Sequence, residues 1–122
     1  MGLHVAQLPD LAIPNGTKPS NALTRADIED AIGILLIAPA ALDAVTYTIQ
    51  IRRNGAATWV ALQEGDIGVA LADVLPPAAG KAQFYDFSRL GISAGHSFRI
   101  NAASNVGDAL HIWEASKIWT GM

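Results

Sequence analysis

The chain has 122 residues, 51% of them apolar and 16% charged, with a formal charge of −3 and no cysteine. That length makes one domain with a core of useful size, and the missing cysteines exclude a disulfide framework or a thiolate metal site. The eight Lys and Arg residues are dispersed, so neither nucleic acid nor an anionic membrane is an expected partner, and so few charges imply that part of the surface faces other protein.

Met1-Gly2-Leu3-His4-Val5 has neither a basic segment nor a long apolar stretch, so it does not read as a secretory signal, and synthesis is expected in the cytoplasm. Pro9, Pro14, Asn15, Gly16 and Pro19 then interrupt the chain, with Leu8, Leu11 and Ile13 isolated between them. The pattern predicts an extended N-terminal arm over residues 1–16, lying against its own domain or a neighbour's, and a folded domain over 17–122. Thr17 to Leu23 is a candidate first strand, and Thr24-Arg25-Ala26-Asp27-Ile28-Glu29-Asp30 predicts one helical turn or a strand connection, because a capping residue precedes acids. Ala31-Ile32-Gly33-Ile34-Leu35-Leu36-Ile37, closed by Pro39, predicts a central strand buried on both sides. The longest apolar run, Ala31 to Leu42, is about half of what a membrane span needs.

The clearest element lies between Ala44 and Leu62. Val45, Tyr47, Ile49 and Ile51 alternate with Thr46, Thr48, Gln50 and Arg52, and Asn54-Gly55 follows, which predicts a β-hairpin with a two-residue reversal at positive φ. In that register Ile51 faces Thr58, Ile49 faces Val60 and Tyr47 faces Leu62. Trp59 then stands opposite Gln50, away from the apolar face; a three-residue loop moves it into the core.

Beyond the hairpin, Gly65 to Leu71 is a weak strand, Pro76-Pro77-Ala78-Ala79-Gly80 a loop, and Gln83 to Phe87 a further strand. Gly91, Gly95 and His96 bracket a turn before the alternation Phe98-Arg99-Ile100-Asn101-Ala102. Asn105 to Asp108 reverses the chain into Leu110 to Ala115, with Ile118 and Trp119 near the end. About eight short strands with no helix of ordinary length between them predict an all-β domain, a single antiparallel β-sandwich of jelly-roll type.

No pattern that carries chemistry emerges. Asp27, Glu29 and Asp30 lack the glycine and terminal glutamate of a calcium loop, and Glu64, Asp66 and Asp73 read as solvated acids. His4, His96 and His111 have no partner at ligand spacing. Ser88, Ser93, Ser97 and Ser104 sit in no nucleophile motif, and Gly91, Gly95 and Gly107 precede no helix that would cradle a phosphate. No catalytic, metal-binding or cofactor-binding residue is assigned, and the protein is expected not to be an enzyme. Trp59, Trp113 and Trp119 are the remaining candidates, as core, as interface anchors or as a platform for sugar rings.

Asn54-Gly55-Ala56-Ala57-Thr58-Trp59 resembles the hairpins of several all-β families. Sialidase-like propellers repeat such a turn in successive blades, whereas it occurs once here. Galactose-binding-like jelly rolls place a strand similar to Tyr47-Thr48-Ile49-Gln50-Ile51 before it, which keeps a carbohydrate-binding module as an alternative. Over Asn15 to Ala102 the chain resembles small β-sandwich structural proteins of tailed bacteriophages. The likeness rests on the order of Asn15 to Leu23, Leu35 to Leu42, the hairpin, the loop from Pro77 to Lys81, and Phe98-Arg99-Ile100. It implies a virion component without catalytic residues, assembled in the host cytoplasm. The expected role is capsid decoration or cement, bound to the major capsid protein or other virion subunits and homo-oligomeric on the particle, with a connector or tail component as the nearest alternative. Leu8, Leu11 and Ile13 in the arm, with Trp113 and Trp119 near the other end, are the expected interface residues.

Overall fold

The computed structural model describes residues 2–65, 71–93, 95–107 and 111–121. The chain is all-β. Among the described residues, ten strands follow in the order β1 (Gly2–Gln7), β2 (Leu11–Ile13), β3 (Gly33–Ile37), β4 (Tyr47–Arg53), β5 (Val60–Ala61), β6 (Gln63–Glu64), β7 (Ala72–Asp73), β8 (Ala82–Asp86), β9 (His96–Ala102) and β10 (His111–Gly121). Two single-turn helices interrupt them, α1 (Arg25–Ile28) and α2 (Phe87–Leu90). The Asp27 carboxylate accepts the Thr24 N–H at 2.8 Å and starts α1, as the capping pattern predicts. The second helix starts at Asp86, whose carboxylate accepts the N–H groups of Ser88 and Arg89, and ends at Gly91 with φ 73°, an N-cap and a left-handed C-terminal glycine that satisfy its end groups.

Strand β10 organises the larger sheet. One edge pairs with β3 from Glu114 to Ile118, and β3 pairs in turn with β8. The other edge carries β1, with Gln7 opposite Ser116, and then β2, with Leu11 opposite Trp113. Between those two pairs the arm has three residues and β10 has two, so a bulge lies at Leu8-Pro9-Asp10. The Leu8 N–H still reaches the Ala115 carbonyl at 2.9 Å, whereas Pro9 has no N–H to offer, and an edge bulge is where a strand tolerates that loss. The extra residue restores the inward direction of Leu11 and Ile13, both fully buried.

Of the two placements expected for residues 1–16, the structure has the first: they lie against their own domain, β1 and β2 forming edge strands of its sheet. Leu8, Leu11, Ile13 and Trp113, expected at an interface, are buried in the chain's own core, so they present no surface to a neighbouring subunit. Two further expectations change in detail. The run at Ala31 to Ile37 forms an inner strand, but only one face of it is covered: Ile34 and Leu36 are buried, Leu35 is half-buried and Ile37 is exposed. The segment from Lys18 to Leu23 bonds the open edge of β9 through Ser20, Leu23 and the Lys18 carbonyl, with isolated bridges at Pro19 and Leu23 rather than a continuous strand.

The second sheet has the order β5-β4-β9. The hairpin exists, but its register differs from the expected one by two residues: Ile51 pairs with Val60 and Gln50 with Ala61. The Ala56 N–H donates to the Arg53 carbonyl at 2.9 Å, and Gly55 alone in that turn has positive φ, 84°. The reversal is therefore a type II turn inside a longer loop, in which only the third residue must be glycine. A shift of two leaves every side chain on its expected face. The weak strand expected from Gly65 to Leu71 lies mostly outside the described residues.

The sheets pack face to face, making the sandwich. Tyr47 of β4 meets Trp113 of β10 edge-on, ring centroids 5.3 Å apart, and Tyr85 of β8 meets Phe98 of β9 at 6.5 Å. Both polar ends are satisfied: the Trp113 indole N–H donates to the Pro77 carbonyl at 3.3 Å, and the Tyr85 hydroxyl donates to the Leu75 carbonyl at 2.5 Å, as buried rings of this kind require. Ile34, Leu36, Ile49, Ile100, Leu11 and Ile13 fill the space between.

Two outcomes follow from this packing. Deletion of residues 2–13 removes three buried side chains, each worth about 1.5–3 kcal/mol, and bares one edge of β10; it is expected to abolish the cooperative thermal transition followed by circular dichroism, while Leu11→Ala costs about 2–5 kcal/mol in urea. Burial raises the Tyr85 pKa far above the ordinary tyrosine value of 10.0. The folded state thus holds a proton that the unfolded chain releases, and stability declines as pH rises through about 10. Tyr85→Phe is expected to flatten that alkaline decline in denaturation curves taken at successive pH values.

Candidate functional site

The alternation of the larger sheet leaves one face in the core and the other uncovered. Across the uncovered face, Val5 stands opposite Ile118 and Leu3 opposite Thr120, Ile118 opposite Gly33, and Leu35 opposite Phe84. Leu3 is 68% exposed, Val5 65%, Phe84 43% and Ile37 39%. These side chains lie on four adjacent strands, so they form one apolar surface rather than scattered residues. A contiguous exposed apolar face of this kind marks an interaction site. Glu114 and Asp86 stand on it as acids, and the Asp86 carboxylate is spent on capping α2.

Phe84 and Gly33 shape the centre of this face. A Cβ built on Gly33 meets the Tyr85 carbonyl oxygen and the Phe84 ring at distances no real side chain adopts, so the ring lies directly over the glycine and fills the gap it leaves in the sheet. At one end of the face a shallow cleft of about 340 Å³ opens between Asp10, Ile37, Ala38, Pro39, Ile112 and Glu114. Trp119, the one expected interface residue that is not buried, lies on the opposite side of the strand, half-covered. Its ring stacks on His4 with centroids 5.3 Å apart, and the Lys117 ammonium lies 5.1 Å from its centroid.

The outer face of the smaller sheet has a different character. Thr48, Gln50 and Arg52 of β4 point outward beside Ser97, Arg99 and Asn101 of β9, paired in that register. Trp59 lies on this face, out of the core, with the Arg52 guanidinium carbon 4.5 Å and that of Arg99 4.3 Å from its ring centroid. The Arg99 Nε–H donates to Gln50 Oε1 at 2.8 Å.

Several other polar side chains are paired within the fold. Glu64 pairs with Arg89 at 2.5 Å and Asp73 accepts from Gln63 at 2.9 Å, while Asp66 lies outside the described residues. His111 is buried, its Nε2 accepting the Asp43 N–H at 3.2 Å, and the Asp43 carboxylate accepts the Gly107 N–H. Ser93 and His96 meet within one turn, Oγ to Nδ1 3.3 Å, and the same Oγ accepts the Gly95 N–H. Ser88 lies in the first turn of α2, and the Ser97 hydroxyl donates to Asn54 at 2.8 Å. Among the described residues no group of three or more His, Asp or Glu is placed to hold a metal ion, and no helix is long and apolar enough to cross a membrane.

Comparison with protein-family models, with curated proteins and with solved structures finds no match to this chain. The uncovered apolar face is therefore the strongest candidate for a functional surface, and it rests on geometry alone. The sequence pattern does not reveal it, because Leu3 and Val5 fall in a stretch that reads as an arm, and Leu35 and Ile37 in an apolar run that reads as a strand covered on both sides. The available signal is the short alternation Leu3-His4-Val5 in the first strand, which Gln7 does not continue.

Gly33→Ala is expected to force Phe84 and the β8 backbone aside at a cost of about 1–3 kcal/mol, read as a lower urea midpoint. Phe84→Ala together with Gly33→Ala is expected to recover part of that loss, because the clash with the ring then disappears.

Proposed function

We propose that this protein is a non-enzymatic structural subunit that docks on neighbouring protein through the outer face of its five-stranded sheet. The observation that carries this reading is the exposure of Leu3, Val5, Phe84 and Ile37 on one continuous surface. The chemistry of that surface selects protein as the occupant. It has no Lys or Arg among its described residues, so neither phosphate backbones nor anionic headgroups are attracted to it, whereas an apolar patch with an acidic rim matches the make-up of a subunit interface. The likeness to small bacteriophage β-sandwich proteins gives the neighbour a setting: a virion, with capsid decoration as the role. In a lattice, modest contacts suffice, because tethered copies act together.

The carbohydrate-binding alternative loses support from the tryptophans it needs. Trp113 is buried, Trp119 is stacked on His4, and Trp59 carries two guanidinium groups, so none offers a bare ring to a sugar.

The test compares wild type with Leu3→Ser, Val5→Ser, Phe84→Ser combined. Sedimentation velocity is expected to show concentration-dependent association or binding to purified particles for wild type, weakened more than tenfold in the variant, since each side chain contributes about 1.5–3 kcal/mol when buried. The variant is expected to stay folded with a single cooperative thermal transition, its midpoint lowered mainly by Phe84→Ser, which uncovers Gly33, because Leu3 and Val5 lie outside the core. A wild-type protein that stays monomeric and is absent from particles by mass spectrometry contradicts the proposal.

A further inference from the structure

The two outer faces of the sandwich differ in charge as well as polarity, and the smaller sheet poses its own problem. Acidic residues outnumber basic ones by 11 to 8 in this chain, yet two arginines converge on one indole. Register brings them there: Gln50 stands opposite Arg99 and Arg52 opposite Ser97, so both guanidinium groups rise from the same face of adjacent strands. Trp59, one step beyond the Ile51–Val60 pair, lies beside them. Neither arginine makes an ion pair among the described residues. We propose that Arg52, Arg99 and Trp59 form an oxyanion site that takes up one carboxylate or phosphate group.

Three observations support the site. The indole and Gln50 hold Arg99 in place, with its Nε–H bonded and its terminal N–H groups left as donors; a guanidinium fixed in this way presents a fork that matches two oxygens of a carboxylate or phosphate. Arg52 Nε is buried and has no hydrogen-bond partner, so this guanidinium is not committed through that atom to an acceptor of the chain, and its charge is left for an external anion. Burial, and then the charge of Arg52, lower the Arg99 pKa, so the two cations repel each other, and an anion bound beside them offsets that repulsion. Cation–π contact alone holds each guanidinium but does nothing to reduce their mutual repulsion.

The test uses the three indole N–H signals in a proton–nitrogen correlation spectrum, that of Trp59 assigned by its loss in Trp59→Phe. Inorganic phosphate and glutarate are titrated separately, with chloride holding ionic strength constant. Saturable displacement of the Trp59 and Arg99 Nε–H signals is expected, with Trp113 and Trp119 unmoved. Response to phosphate alone or to glutarate alone supports the site and identifies its ligand source. Arg99→Gln is expected to weaken binding tenfold or more; if that variant is unfolded, Arg99→Lys, which keeps the charge and loses the fork, is expected to weaken it roughly tenfold. No saturable shift with either anion, or an affinity unchanged in the folded variant, overturns the proposal and leaves the cluster a purely intramolecular stack.

Discussion

Strand β10 bears partners along both edges, and the rest of the architecture depends on it. Its odd-numbered residues His111, Trp113 and Ala115 point inward and its even-numbered residues Ile112, Glu114 and Ser116 point outward, a division that the ladder transmits to β1, β2, β3 and β8. The first strands cover one edge and β3 the other, so the beginning and end of the chain fold as one unit. Trp113 then couples this sheet to the second through Tyr47. Backbone hydrogen bonding and side-chain burial reinforce each other at that strand, because the pleat that pairs its carbonyls also aims its indole.

A sandwich built in this way has one core and two outer faces, and here the outer faces are unalike. The smaller sheet ends in polar and cationic groups gathered on Trp59, whereas the larger one ends in Leu3, Val5, Leu35, Ile37, Phe84 and Ile118. Water tolerates the first arrangement at little cost. The second loses solvent entropy for as long as it stays uncovered, which is why the apolar face, rather than any cluster of titratable groups, points to the protein's role. At its centre Phe84 lies on Gly33, where a Cβ has no room.

How much of this was legible depended on whether local periodicity survived. In the hairpin it did: Tyr47, Ile49 and Ile51 face inward and Trp59 outward, although the turn is longer than Asn54-Gly55 alone implies and the partners move by two residues. In the arm it did not. Leu8, Leu11 and Ile13 break the period of two because Pro9 and Asp10 insert a bulge, so a paired edge strand reads as loose chain. The Ala31 to Ile37 run failed differently: uninterrupted apolar sequence describes a strand covered on both sides and a strand with one face awaiting a partner equally well. The helix α2 had both of its signals, Asp86 and Gly91, but is too short for periodicity to mark it.

The amino-acid sequence by itself determined the all-β class, the absence of long helices, and the inward face of each strand whose alternation is regular. These are local properties, set by the pleat and by which side chains shun water. Only the tertiary structure decided which strands pair beyond the hairpin, that the first residues close onto the last, and which sheet face remains open. Every strand offers the same N–H and C=O groups to a neighbour, so the choice of partner is made by the shape of the shared core, and that shape exists only when Trp113, Tyr47, Leu11 and Ile13 have met.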